Sequence, residues 1–153
     1  MASRKMKYPE TDSFVYYNRN PRGRITGDCV FRAFSTALDQ DYNQTVMEMA
    51  QLMCETGYAL NDSKGADRYL QNKGWIKCSQ PRKADNTKYT GKEWCKWLSD
   101  NYKNGEIGNI VCHIGGHHMV VIKPVDGSRG CYKIHDIWNS SHGCIGNYWV
   151  KKR

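Results

Sequence analysis

The sequence predicts an α+β domain in which N-terminal helices pack on a C-terminal antiparallel sheet. Apolar residues recur at helical spacing in the first two thirds of the chain, and short segments rich in β-branched and aromatic residues follow from residue 109. Helices that come first and strands that come second are typical of this class. No linker composition divides the 153 residues, a length that suits one core, so we expect a single domain over 1–153.

The N-terminal region contains an aromatic run, a loop and the first strongly periodic helix. The run SFVYY predicts a strand or a packed extended arm, and 1–17 otherwise lack periodicity. Turn-forming residues at 18–27 predict a loop that ends at Asp28, a residue type favoured at helix N-caps. Apolar residues at helical spacing then predict a helix over 29–38, with Cys29 in its first turn.

Three further helices are expected before the strand-rich part of the chain. Asn43 is a candidate cap for a helix over 44–55, and the next predicted helix covers 62–73. The segment GWIKC that follows can form a short strand. A Thr-x-x-Glu capping box at 90–93 then opens a helix that reaches about Asn101.

Four strands are predicted in the last third of the chain, with the sequences NIVCHI, HHMVVIK, CYKIHDIW and IGNYWVKK. Turn formers at 115–116, 126–128 and 140–143 separate them and indicate antiparallel neighbours. Along HHMVVIK, successive residues alternate between the two faces of the sheet. We expect one face of this strand to pack on the core and the other to remain uncovered.

Composition and charge limit the possible functions. Hydrophobic residues make up 39% and charged residues 25% of the chain, as in soluble globular proteins. No apolar run long enough for a transmembrane helix or a secretory signal is present, so we expect a cytoplasmic protein without membrane contact. The net charge of +8 permits binding to nucleic acid but does not favour it, because the basic residues are scattered. No phosphate-binding glycine loop is present, and no cofactor is expected.

Cys29 is the best placed of seven cysteines to act as a nucleophile. The odd number and the absence of a Cys-x-x-Cys pair favour reduced thiols, and we expect the other six to be mostly buried. A thiolate is the reactive form, and the N-terminus of a helix lowers the pKa of a thiol. Only Cys29 follows a glycine and a cap residue at a predicted helix start.

A base and a residue that orients it come from the predicted sheet. His118 and His117 stand at the start of HHMVVIK, and either could reach a helix terminus. Asp136 lies on the next strand, and neighbouring strands are about 4.8 Å apart. A carboxylate there can accept a hydrogen bond from the imidazole and stabilise its charged form.

The segments GDCVFRAFSTAL, HHMVVI, HDIWNSS and GNYWV resemble a papain-like cysteine peptidase family of small bacterial and phage proteins. The similarity extends over about 20–150. It implies a papain-like fold and acyl transfer at a peptide, isopeptide or related amide bond in a protein or peptide substrate, in the host cytoplasm if the chain is phage-encoded. It also implies Cys29 as nucleophile, His118 as base, with His117 one residue away as the alternative, and Asp136 as the orienting group.

The oxyanion hole is the point at which the sequence departs from this pattern. Papain-like enzymes use a glutamine upstream of the cysteine, and no glutamine precedes Cys29. Asn20 and Asn18 are the nearest amides, and Asn20 is the candidate donor. The backbone N–H of Cys29 could supply another.

Two other functions compete with catalysis. The first is a zinc site formed from thiols and imidazoles of the strand-rich part, namely Cys112, His113, His135, His142 and Cys144. Tetrahedral zinc usually needs two close pairs of ligands, and only one usable pair is present, so no metal is expected. The second is a catalytically silent papain-like module that binds an acidic protein or nucleic acid.

Overall fold

A six-stranded sheet forms the centre of the part of the chain that the computed structural model describes, which is residues 3–102, 107–125 and 131–152. The helices in these ranges are α1 (Arg4–Lys7), α2 (Cys29–Ala37), α3 (Tyr42–Thr56), α4 (Ser63–Asn72) and α5 (Gly91–Asn101). The strands are β1 (Phe14–Tyr16), β2 (Trp75–Cys78), β3 (Ile110–Ile114), β4 (His118–Pro124), β5 (Tyr132–Asp136) and β6 (Ile145–Lys151). The predicted α+β class is confirmed. None of these helices combines the length and apolarity needed to cross a membrane.

The sheet is mixed, and the prediction of a purely antiparallel sheet is wrong. The strand order is β1-β5-β4-β3-β6-β2, and every pair is antiparallel except β1 with β5. The run SFVYY contributes β1, which lies parallel to β5 and pairs Tyr16 with Asp136. Burial of Phe14 in the core explains this edge pairing, because the aromatic ring would otherwise be exposed to water.

Helices cover both faces of the sheet, so the expectation of an uncovered face is wrong. Val120 and Ile122 of β4 belong to a cluster that includes Trp94 of α5. Val121 belongs to a second cluster on the opposite face, which includes Phe34 of α2. The consecutive apolar residues of β4 are typical of a strand buried on both sides.

The starts of α3 and α5 follow local capping chemistry. Asp41, not Asn43, caps α3, because its carboxylate accepts a hydrogen bond from the Gln44 backbone N–H at 3.0 Å. The capping box predicted at the start of α5 is confirmed, with reciprocal bonds between Thr90 and Glu93. These caps satisfy N–H groups that lack partners inside the helix.

Candidate active site

The three residues predicted to act together lie at one end of the sheet. His118 is the first residue of β4, and Asp136 is the last residue of β5, which runs antiparallel to β4. Helix α2 packs on β4 and begins with Cys29. The fold therefore brings together a helix start, a strand start and a strand end that are distant in sequence.

His118 and Asp136 form a short contact. The Nε2 atom of His118 lies 2.5 Å from Oδ2 of Asp136. Asp136 is only 1% exposed. Since this contact uses Nε2, the other ring nitrogen, Nδ1, is left for the cysteine. The ring of Trp138 lies 4.9 Å from the imidazole, centroid to centroid.

The half-buried thiol of Cys29 contacts the imidazole of His118. Its sulfur shares a hydrogen bond with His118 and accepts one from the backbone N–H of Met119. Burial opposes the charged thiolate, but these bonds and the positive charges of His118 and Arg32 outweigh it and lower the pKa of Cys29. Cys29 thus has two of the features that activate a thiol, a helix N-terminus and an adjacent imidazole.

The pKa of the His118 imidazole is shifted upward, opposite to that of Cys29. Burial favours the neutral form of the imidazole, yet the hydrogen bonds to Asp136 and Cys29 and the charges of both raise the pKa of His118 to about 9. The lowered pKa of Cys29 and the raised pKa of His118 both favour a thiolate–imidazolium pair. The arrangement can generate a nucleophile and hold the proton that a leaving amine needs.

Asp28 occupies the N-cap position of α2, but its side chain makes no capping bond to the helix. The first-turn N–H groups of α2 therefore do not bind this carboxylate. These N–H groups and the positive end of the helix dipole lie beside Cys29. Both favour negative charge on its sulfur.

The carboxylate of Asp28 joins a buried ion network instead. Arg32 donates from Nε to Oδ1 of Asp28 at 2.7 Å and from Nη1 to Oδ1 of Asp136. All three residues are buried: Arg32 is 6% exposed, Asp28 is 5% exposed and Asp136 is 1% exposed. Arg32 thus connects the cap residue of α2 to the carboxylate that faces His118.

Sequence reasoning did not assign a role to Arg32. Part of the signal was visible, because Asp28 and Arg32 are four residues apart and so lie one turn apart on a helix. The second partner, Asp136, is 104 residues away, and only the fold reveals it.

The predicted oxyanion donor Asn20 also belongs to this network. Its Nδ2 donates to Oδ2 of Asp28 at 3.0 Å, and Tyr42 donates its hydroxyl to the same oxygen at 2.7 Å. Burial opposes ionisation of Asp28, but Arg32, Tyr42 and Asn20 together lower its pKa. An oxyanion role for Asn20 stays a prediction, since the structure places this amide on a carboxylate.

The remaining candidates lie apart from this cluster. His117 is exposed in the turn between β3 and β4. Asn18 donates its amide to the carbonyl of Arg24 at 3.3 Å. Within the ranges that the structure describes, no three side chains of His, Cys, Asp or Glu are arranged to hold a metal ion, and this includes the five considered for zinc.

All seven cysteines are free thiols, and their environments differ. Cys95 and Cys112 are buried, and burial raises the pKa of Cys95 to about 12 and that of Cys112 well above its usual value. Cys54 and Cys144 are exposed, so the expectation that the other six thiols are mostly buried is wrong. The two exposed thiols are internal references for the reactivity of Cys29.

No protein-family model matches the chain, and comparison with curated proteins and solved structures finds no similar protein. Functional assignment therefore depends on the geometry of the site itself.

Proposed function

We propose that this chain is a cysteine-dependent hydrolase or acyl transferase with a papain-like arrangement, acting on a peptide, isopeptide or related amide bond. One observation carries the proposal. The thiol at the start of α2, Cys29, hydrogen-bonds to His118, whose other ring nitrogen contacts the buried carboxylate of Asp136. A nucleophile, a base and an orienting group in this order are the components of acyl transfer by a thiol.

In the first half of the reaction, the Cys29 thiolate attacks the carbonyl carbon of the amide. The tetrahedral intermediate collapses as the C–N bond breaks, and the amine leaves with the proton held by His118. The products are a thioester on Cys29, a free amine and a neutral imidazole. Asp136 keeps the ring oriented and favours its charged form before proton transfer.

In the second half, water or an acceptor amine attacks the thioester. His118 takes a proton from the attacking molecule, and the C–S bond breaks to regenerate the thiolate of Cys29. Water yields a carboxylic acid, as in a hydrolase, and an amine yields a new amide, as in a transferase. Backbone N–H groups at the start of α2 support negative charge on the carbonyl oxygen in both halves.

We expect iodoacetamide to alkylate Cys29 faster than any of the other six thiols at pH 7. A thiol in a free peptide loses about tenfold in reactivity for each pH unit below about 8.5. Because the pKa of Cys29 is lowered, its alkylation rate should decline less between pH 8.5 and pH 6 than the rates of Cys54 and Cys144. Timed quenching, digestion and mass spectrometry of each cysteine peptide give all the rates from one sample.

Alkylation of Cys29 no faster than that of Cys54 or Cys78 across this pH range would contradict an activated nucleophile. That outcome would favour the catalytically silent binding module. The measurement needs no knowledge of the substrate, because iodoacetamide reacts with the thiolate directly.

A further inference from the structure

A cavity of about 410 Å³ lies between the loop that precedes α2 and the start of α3. Arg22, Arg24, Ile25 and Tyr42 are among the residues that line it. The triad does not use this cavity. Two guanidinium groups beside the apolar side chain of Ile25 indicate a site for an anionic group attached to a larger molecule.

The guanidinium groups of Arg22 and Arg24 are available to a ligand. Both residues are exposed, and neither side chain forms an ion pair or hydrogen bond within the described part of the chain. Arg19 on the same loop differs, because it donates to the Tyr17 hydroxyl at 3.0 Å and to the Gln40 carbonyl at 2.9 Å. The loop thus contains one arginine that anchors it and two whose side chains have no partner among the described residues.

Hydrogen bonds within the loop fix the backbone that carries Arg22 and Arg24. The backbone N–H of Arg22 donates to the side-chain oxygen of Asn20 at 2.9 Å, and that of Gly23 donates to the Asn20 carbonyl at 2.9 Å. Gly23 has a φ of +65°, a conformation that glycine adopts without strain. The Asn18 amide bonds the carbonyl of Arg24. A loop ordered in this way loses little further entropy when a ligand binds.

The cavity is also fixed relative to the nucleophile. Asn20 and Tyr42, which line it, both donate to the Asp28 carboxylate, and Asp28 immediately precedes Cys29. Thr26 on its wall is three residues from Cys29, so their Cα atoms are at most about 11 Å apart. An extended peptide covers that distance in about three residues.

The nearby carboxylates are engaged with partners other than Arg22 and Arg24. Asp28 is paired with Arg32. Asp41, which precedes Tyr42, is engaged as the cap of α3. Asp39 lies 3.7 Å from the guanidinium of Arg19.

We propose that this cavity binds the carboxylate of an aspartate or glutamate side chain that lies in the substrate near the bond that Cys29 attacks. The fork of guanidinium donors matches a carboxylate, and charge-assisted bonds of this kind are stronger than neutral ones. This inference rests on the proposed acyl transfer and names its substrate class, an acidic peptide.

Tetra-alanine chloromethyl ketones test the inference, with glutamate or glutamine placed at each position in turn. The Cys29 thiolate displaces chloride from the ketone, so the inactivation rate reports peptide binding beside the thiol. At one position or more, the glutamate peptide should inactivate the protein about tenfold faster than the matching glutamine peptide. The reason is that hydrogen bonds to a charged group are stronger than those to a neutral group. The preference should shrink as salt rises, since both arginines are exposed.

The double variant Arg22→Gln/Arg24→Gln should bring this glutamate-to-glutamine ratio close to one. Arg68→Gln is the matched control, because Arg68 is an exposed arginine of α4, a helix that packs on β2 at the far edge of the sheet. That variant should retain the wild-type ratio. Equal rates for both peptides at every position, or a ratio that survives in the double variant, would overturn the inference. The iodoacetamide rate of wild-type Cys29, measured in parallel, reports separately on the proposed acyl transfer.

Discussion

Replacing Arg32 with methionine should lower the free energy of unfolding by about 3–5 kcal/mol, the usual cost of removing one partner from a buried ion pair. The guanidinium bonds two carboxylates, those of Asp28 and Asp136, and all three residues are less than 7% exposed. Methionine fills much of the same volume but leaves both carboxylates without their shared positive charge. Urea denaturation monitored by tryptophan fluorescence measures the loss.

Two further variants separate the ion network from other consequences of the substitution. Arg68→Met removes an exposed arginine from α4 and should change the free energy of unfolding by no more than about 0.5 kcal/mol. Asp28→Asn combined with Arg32→Met should be less destabilising than the sum of the single changes, because the double variant removes both members of one bonded pair. Equal urea midpoints for Arg32→Met and wild type would show that the network does not stabilise the fold.

The positions of α2, β4 and β5 could be predicted because each has its own local signal. Helical spacing after Asp28 indicates α2, and β-branched runs bounded by turn formers indicate the two strands. Since antiparallel neighbours place a strand start beside a strand end, the sequence also predicted that His118 and Asp136 are close.

Features that depend on long-range packing could not be predicted. The three residues of β1 carry no information on strand direction, and the parallel pairing with β5 follows from burial of Phe14 in the finished core. The second bond of Arg32, to Asp136, has no local signal either. An exposed and a paired asparagine look alike in a sequence, so the contact of Asn20 with Asp28 was also missed.

Replacing His118 with glutamine should slow iodoacetamide alkylation of Cys29 at pH 7 by about tenfold or more. The hydrogen bond and the charge of His118 are leading causes of the lowered pKa of the thiol, and each unit of pKa recovered removes about tenfold of the thiolate at neutral pH. The difference in alkylation rate between the variant and wild type should diminish toward pH 9.5, where a thiol ionises without a neighbouring charge. Rates for Cys29 and the exposed Cys54, taken from the same digests, provide the comparison.

The matched control is His117→Gln, which makes the same substitution one residue away. His117 is exposed in the β3–β4 turn, whereas His118 contacts Asp136 and Cys29, so only the His118 variant should respond. If alkylation of Cys29 is slowed in His117→Gln and unchanged in His118→Gln, the base is His117.

Asp136→Asn should give an alkylation rate for Cys29 that is intermediate at pH 8, because the carboxylate helps to raise the pKa of His118 to about 9 and so keeps the imidazole charged at that pH. A graded order of wild type, Asp136→Asn and His118→Gln at pH 8 is what a base supported by a carboxylate requires, since the carboxylate raises the pKa of the imidazole that favours the thiolate.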